Sequence, residues 1–176
     1  MLERIDNETA IVDTGDILLS AKAKYKNGDY QGAIVEYTLA IQFHPQIALA
    51  FCCRGDAYYK LGKQEQALID YNRAIELSPK LAIGYYRRGN LYSSAKNYAV
   101  AVGEYSQAIE LKPNFALAYS NRGFAYRELY GEREAAIDWK LAAKLFEEQG
   151  NSAQCKYMLD LISLNTSIDT LSGMLG

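Results

Sequence analysis

Large, small and polar residues return at fixed intervals along this chain, and proline marks the period: Pro45, Pro79 and Pro113 lie 34 residues apart. Units that place each proline at position 32 start at Thr14, Ala48, Ala82 and Ala116. Small residues then share columns: Ala21, Gly55, Gly89 and Gly123 at position 8, Ala33, Ala67, Ala101 and Ala135 at position 20, and Ala40, Ala74, Ala108 and Ala142 at position 27. Bulky residues share others: Ile17, Phe51, Tyr85 and Tyr119 at position 4, Lys24, Tyr58, Tyr92 and Tyr126 at position 11, and Tyr37, Tyr71, Tyr105 and Trp139 at position 24. At about 100° per residue, positions 4, 8 and 11 fall within about 60° of one another, the apolar stripe of an amphipathic helix. Gly28, Gly62 and Gly131, or Lys96-Asn97 in the third unit, interrupt the pattern where a turn needs a residue tolerant of positive φ. Each unit is thus a helix, a turn and a second helix stopped near the proline. One such pair cannot cover its own stripe, so the units must stack.

This column pattern resembles the tetratricopeptide repeat (TPR) family, whose signature sets a bulky residue, Leu-Gly, Tyr, Ala, an aromatic, Ala and Pro in these places. The resemblance spans residues 14 to about 147. It implies an all-α, right-handed TPR solenoid of antiparallel helix pairs with a C-terminal capping helix. The expected organisation is a lead-in over 1–13, units over 14–47, 48–81, 82–115 and 116–150, a capping helix over 151–164 and a flexible tail over 165–176. Cys155, Leu159 and Ile162 would form the sealing stripe of the cap, and Ile168, Leu171 and Leu175 give the tail a helical apolar spacing. Two positions depart from the signature: Lys24 stands where other units have Tyr, and Glu147 where they have Pro. Edge units of a solenoid are expected to be atypical. Arg-Gly at positions 7 and 8, and the stretch from Asp138-Trp139 to Gln149-Gly150-Asn151, are also similar to TPR proteins of photosynthetic bacteria, which implies a role in assembling complexes.

Charges keep the same period. Position 7 is Ser20, Arg54, Arg88 and Arg122, and position 23 is Glu36, Asp70, Glu104 and Asp138. Pairing each arginine with the acid of the preceding unit couples Arg54 with Glu36, Arg88 with Asp70 and Arg122 with Glu104, leaving Asp138 for the cap. Charges with matched partners at repeat positions hold a stack together. The alternative is an arginine ladder for phosphate or acidic peptides, since guanidinium presents a bidentate fork.

Positions 2, 5, 6, 9, 12 and 13 of each first helix point about 150° away from the core stripe on the same helical wheel. In the TPR family this surface lines the concave groove that takes an extended peptide or a partner helix. The resemblance therefore implies a partner site at Leu49, Cys52, Asp56, Tyr59, Ile83, Tyr86, Arg87, Asn90, Asn121, Phe124 and Arg127, with Leu18, Leu19, Lys22, Tyr25, Cys53, Leu117 and Ser120 beside them. The first half is largely apolar and the second adds amide and guanidinium groups. A subgroup of the family grips the acidic C-terminal tail of heat-shock chaperones with a carboxylate clamp. Asn90 and Asn121 match two clamp positions, but Tyr86 stands at the lysine position and no fifth unit supplies the rest, so that ligand is not expected. Cys52 and Cys53 read as packed apolar thiols, without a histidine or Cys-x-x-Cys spacing to activate them.

Composition narrows the function further. With 19 Lys plus Arg against 21 Asp plus Glu, no excess of positive charge exists to drive nucleic-acid binding. The start, Met1-Leu2-Glu3-Arg4-Ile5-Asp6, lacks the order of a secretory signal, and no run approaches the ~18 apolar residues of a membrane span. No direct membrane insertion and a cytoplasmic location are the expectations. His44 is the only histidine and the three cysteines have no metal spacing, so no catalytic residues, metal or cofactor are expected. Ten of the 15 tyrosines fall in columns 4, 11, 17 and 24, where they fill the core. The expected function is a non-enzymatic scaffold or adaptor that holds a protein or peptide; a self-associating module, packed through its apolar ends or the Leu171 tail, is the alternative.

Overall fold

The structure, a computed structural model, describes the backbone of residues 13–174 and the side chains of residues 13–164. Residues 1–12 of the expected lead-in, and docking by Ile168, Leu171 or Leu175, lie outside the described residues. The described residues form four helix pairs and a closing helix: α1 (Thr14–Lys26) with α2 (Tyr30–Phe43), α3 (Ala48–Lys60) with α4 (Gln64–Leu77), α5 (Ala82–Ser94) with α6 (Tyr98–Leu111), α7 (Ala116–Tyr130) with α8 (Glu132–Glu148), and α9 (Ser152–Met174). Helices begin and end where the local chemistry directs. The Asp13 and Asp29 carboxylates accept from the N–H groups of Gly15 and Gly32, capping α1 and α2. Gly28 and Gly62 take the left-handed conformation between the helices of the first two pairs. In the third pair Lys96 itself adopts φ 60°, while Asn97 caps α6 with negative φ. Pro45, Pro79 and Pro113 follow the C-caps His44, Ser78 and Lys112. With Glu147 in the proline column, α8 runs on for 17 residues until Gly150 turns the chain at φ 71°.

Each helix packs on the next in sequence, and α1, α3, α5 and α7 also meet one another in series. These four helices therefore form the inner layer, where a curved stack is most compressed. The alanines of columns 20 and 27 are all fully buried, which lets helices approach closely. Glycine does the same at column 8. A Cβ on Gly55 would lie 2.7 Å from Cε1 of Tyr71, on Gly89 2.7 Å from Cε1 of Tyr105, and on Gly123 2.6 Å from the Trp139 ring. The column-24 aromatics that fill these gaps are 4%, 2%, 1% and 0% exposed from Tyr37 to Trp139.

The arginine ladder is structural, but its register corrects the sequence reading. Arg54 donates through Nε and Nη2 to Asp70 at 2.8 and 2.7 Å, Arg88 to Glu104 at 3.0 and 2.8 Å, and Arg122 to Asp138 at 2.7 and 2.8 Å. Each arginine thus pairs with the acid of its own unit rather than the preceding one, and Asp138 is not left for the cap. The third nitrogen makes the link between units: Nη1 reaches back to Thr38, Asn72 and Ser106 on the outer helix of the preceding pair. All three forks are committed, which removes the ligand-binding ladder. Unit one lacks this arginine, and there Lys24 pairs with Glu36, so the departure from Tyr at column 11 replaces the missing cation.

The closing helix seals α8 with Cys155 and Ile162 of the expected stripe, but Met158 takes the place of Leu159. Met158 is buried, Cys155, Leu161 and Ile162 pack around it, and Leu159 is exposed. The helix also continues to Met174 instead of ending at Leu164.

Candidate functional site

Three clefts follow one another along the inner helices. The first, about 370 Å³, lies between α1 and α3 and is walled by Leu18, Leu19, Leu49, Ala50 and Cys53, with Lys22 at its edge. The second, about 170 Å³, holds Asp56, Tyr59, Lys60, Arg87 and Asn90. The third, about 510 Å³, spans α3 to α7 and includes Tyr59, Asn90, Ser93, Asn121 and Phe124. Leu49, Asp56, Tyr59, Arg87, Asn90, Asn121 and Phe124 of the expected site therefore share this face.

Its floor is a hydrogen-bonded lattice tied to the core. Arg87 pairs with Asp56 across the boundary of units two and three, and Asp56 accepts the Tyr71 hydroxyl at 3.0 Å. Burial pushes the Asp56 carboxyl above its ordinary range, against the opposing pull of the Arg87 charge and the Tyr71 hydrogen bond. One unit on, Asn90 Oδ1 accepts from the Tyr105 hydroxyl at 2.9 Å and from Asn121 Nδ2 at 2.8 Å. Asn121 Nδ2 also donates to the Tyr86 hydroxyl at 3.2 Å. Among the described residues this leaves Asn90 Nδ2 and Asn121 Oδ1, a donor and an acceptor, with no protein partner. In unit four the column-24 residue is Trp139 and the residue above it Phe124, so the indole N–H has no acceptor and is buried without one.

Other expected site residues sit elsewhere. Cys52 is 0% exposed, buried with Phe51 and Ala74 and close to Gly84 of α5, because position 5 faces the next inner helix. Ser120 occupies the same column and is also buried. Ile83 packs between units against the clusters around Cys52 and Ala108. Arg127 stacks over Phe124 and Trp139 and pairs with Glu128, while Leu117 stands exposed. Sequence reasoning missed Tyr71 and Tyr105, whose rings fill the core while their hydroxyls end in the groove floor. It also missed Tyr98 in the third cleft and Tyr157 of α9, whose ring lies 6.4 Å from that of Phe124, while Ser93, Lys60 and Glu128 stand in the clefts at positions 12 and 13, which the helical wheel had turned that way. Position 9 holds an acceptor, Asp56 or Asn90, in the two units whose column-24 tyrosine donates to it, and that pairing was the available signal.

The thiols give a direct check on these placements. Burial pushes Cys52 up to about 12 and raises Cys53 as well. Ellman-type labelling of the native protein near neutral pH is expected to modify Cys155 first and Cys53 slowly, with Cys52 reacting only on unfolding. Peptide mapping reads the order, and early labelling of Cys52 would contradict a closed α3–α5 contact.

A family model described as TPR repeat matches residues 21–62, 55–96 and 89–129, well over half of the chain. The chain belongs to the TPR repeat family. No curated protein sequence matches it. Among solved structures it is similar to a MamA protein, at 26% identity over 78% of this chain and 75% of that one, with a TM-score of 0.67. The first TPR of Spaghetti (RPAP3) bound to the HSP90 peptide SRMEEVD matches at 26% identity over 66% of this chain and 92% of that one, TM-score 0.63. The Arabidopsis OM64 TPR domain shares the fold, at 24% identity, 65% and 94% coverage and a TM-score of 0.61. The all-helical TPR solenoid expected from the columns is thus the observed fold, and the family match ends within α7.

Proposed function

We propose that this TPR protein is a non-enzymatic scaffold or adaptor that holds an extended peptide or helix of a partner on its inner face, in the assembly of larger complexes. The observation that carries the reading is the run of three clefts from α1 to α7, the third floored by Asn90 and Asn121 with an amide donor and acceptor still open. Such a pair matches the alternating groups of an extended backbone, and the apolar first cleft supplies anchorage. A TPR neighbour binding a peptide supports the same mode of use. Among the described residues no helix is long and apolar enough to cross a membrane, and no cluster of metal-ligating side chains occurs; the reading places the protein in the cytoplasm, acting without cofactor or nucleic acid.

Affinity capture tests it with substitutions of two exposed cleft-wall leucines and one amide of the floor. Leu19→Asp, Leu49→Asp and Asn121→Ala together are expected to lose the partners captured by the wild-type chain while thermal denaturation changes little. Identical capture by both proteins would sink the groove reading. The self-association alternative draws support from Val35, Leu39 and Phe43, an exposed apolar stripe along α2. Light scattering against concentration on the same samples decides it.

A further inference from the structure

We propose that the groove selects an extended segment with an aliphatic side chain beside a carboxylate at its α1 end and uncharged hydroxyl or amide side chains at its α7 end, without using a free chain terminus. The inference rests on the groove reading above and assigns its ligand chemistry from the order of charges along the three clefts. At the α1 end the walls include leucine, alanine and cysteine, the charged lining residue is Lys22, and the second cleft adds Lys60 beside the Asp56–Arg87 pair. Neither lysine has an ion-pair partner among the described residues. In the middle, Arg87 adds no free charge, because Asp56 neutralises it within the floor. At the α7 end the lining is hydroxyl and amide, the one charged lining residue is Glu128, and its neighbour Arg127 is drawn to Glu128 and to the aromatic faces of Phe124 and Trp139.

A ligand carboxylate in the third cleft would therefore meet no available cation, because Arg127 and Glu128 cancel each other, and its desolvation there costs affinity. The same group beside the first cleft meets the unpaired Lys22 ammonium and, toward the second cleft, that of Lys60, both screened by solvent. Neutral hydroxyl or amide side chains in the third cleft find Asn90 Nδ2 and Asn121 Oδ1 open to them. The gradient from unpaired lysine to a charge-compensated amide and hydroxyl lining fixes the direction in which the segment lies, and the aliphatic anchor fixes its register.

The test is a positional-scanning library of decapeptides, acetylated and amidated at their ends, bound to the purified full chain, with affinities of selected sequences measured by fluorescence anisotropy. Expected is enrichment of Leu, Ile, Val or Met with Asp or Glu within two residues. At the distal positions Ser, Thr, Asn and Gln should exceed Asp and Glu by roughly tenfold. Lys22→Glu with Lys60→Glu should abolish the acidic preference and keep the aliphatic one, whereas Leu49→Asn should do the reverse. Acidic residues chosen at the distal positions, or binding that requires a free C-terminal carboxylate, would overturn the inference. Binding without positional selection overturns it and leaves the groove reading standing; no binding by any peptide removes both.

Discussion

Tyr71→Ala is expected to destabilise the fold by about 3–5 kcal/mol, the cost of truncating a buried aromatic. At about 2–4 °C per kcal/mol for a chain of this size, the midpoint of thermal denaturation should fall by roughly 10 °C. The ring is 2% exposed and lies against Gly55, whose missing side chain is what makes room for it. Alanine there leaves a void bounded by two helices that cannot collapse, since Ala67 and Leu91 already pack at its margins. Tyr71→Phe separates the two roles of this residue. It keeps the ring and removes only the hydroxyl that Asp56 accepts, so it should cost about 1 kcal/mol, the net worth of one hydrogen bond. If peptide binding falls in Tyr71→Phe while the fold holds, the core tyrosine also orders the groove floor. Unchanged denaturation of Tyr71→Ala would contradict the packing of the second unit.

The second large effect concerns the arginine ladder. Arg122→Met should cost about 3 kcal/mol, because it strands the Asp138 carboxylate, 4% exposed, without its bidentate partner. It also removes the tie to Ser106 and the stacking over Tyr119 and Tyr126. The double variant Arg122→Met, Asp138→Leu should recover most of the loss, since an apolar pair of similar volume carries no desolvation penalty. Urea denaturation of the wild type, both single variants and the double variant gives the coupling energy as a cycle. A double variant no more stable than Arg122→Met would assign the loss to packing and to the Ser106 contact rather than to the stranded charge.

The site was less legible than the fold. The helical wheel placed Asp56, Asn90, Asn121 and Phe124 on the inner face, because position 9 and position 6 turn away from the core whatever the neighbour does. It also placed Cys52 and Ser120 there, and these are buried, because a wheel describes one helix and α3 and α7 each have a second inner helix against them. Arg87 was on the correct face but not free: its partner lies one unit away, at a separation that no single-helix pattern contains.

The sequence by itself determined the period, the helices, the turns and the columns of the core, since alternation of large and small residues at 34-residue spacing has few solutions other than stacked helix pairs. Only the tertiary structure decided which partner each periodic group meets. Arg54 has Glu36 eighteen residues before it and Asp70 sixteen after it, and both spacings recur at Arg88 and Arg122. A repeating sequence repeats its alternatives too, so the tilt and spacing of neighbouring helices make the choice. The same geometry sends the Tyr71 and Tyr105 hydroxyls through the core to the groove floor, where packing and recognition share residues.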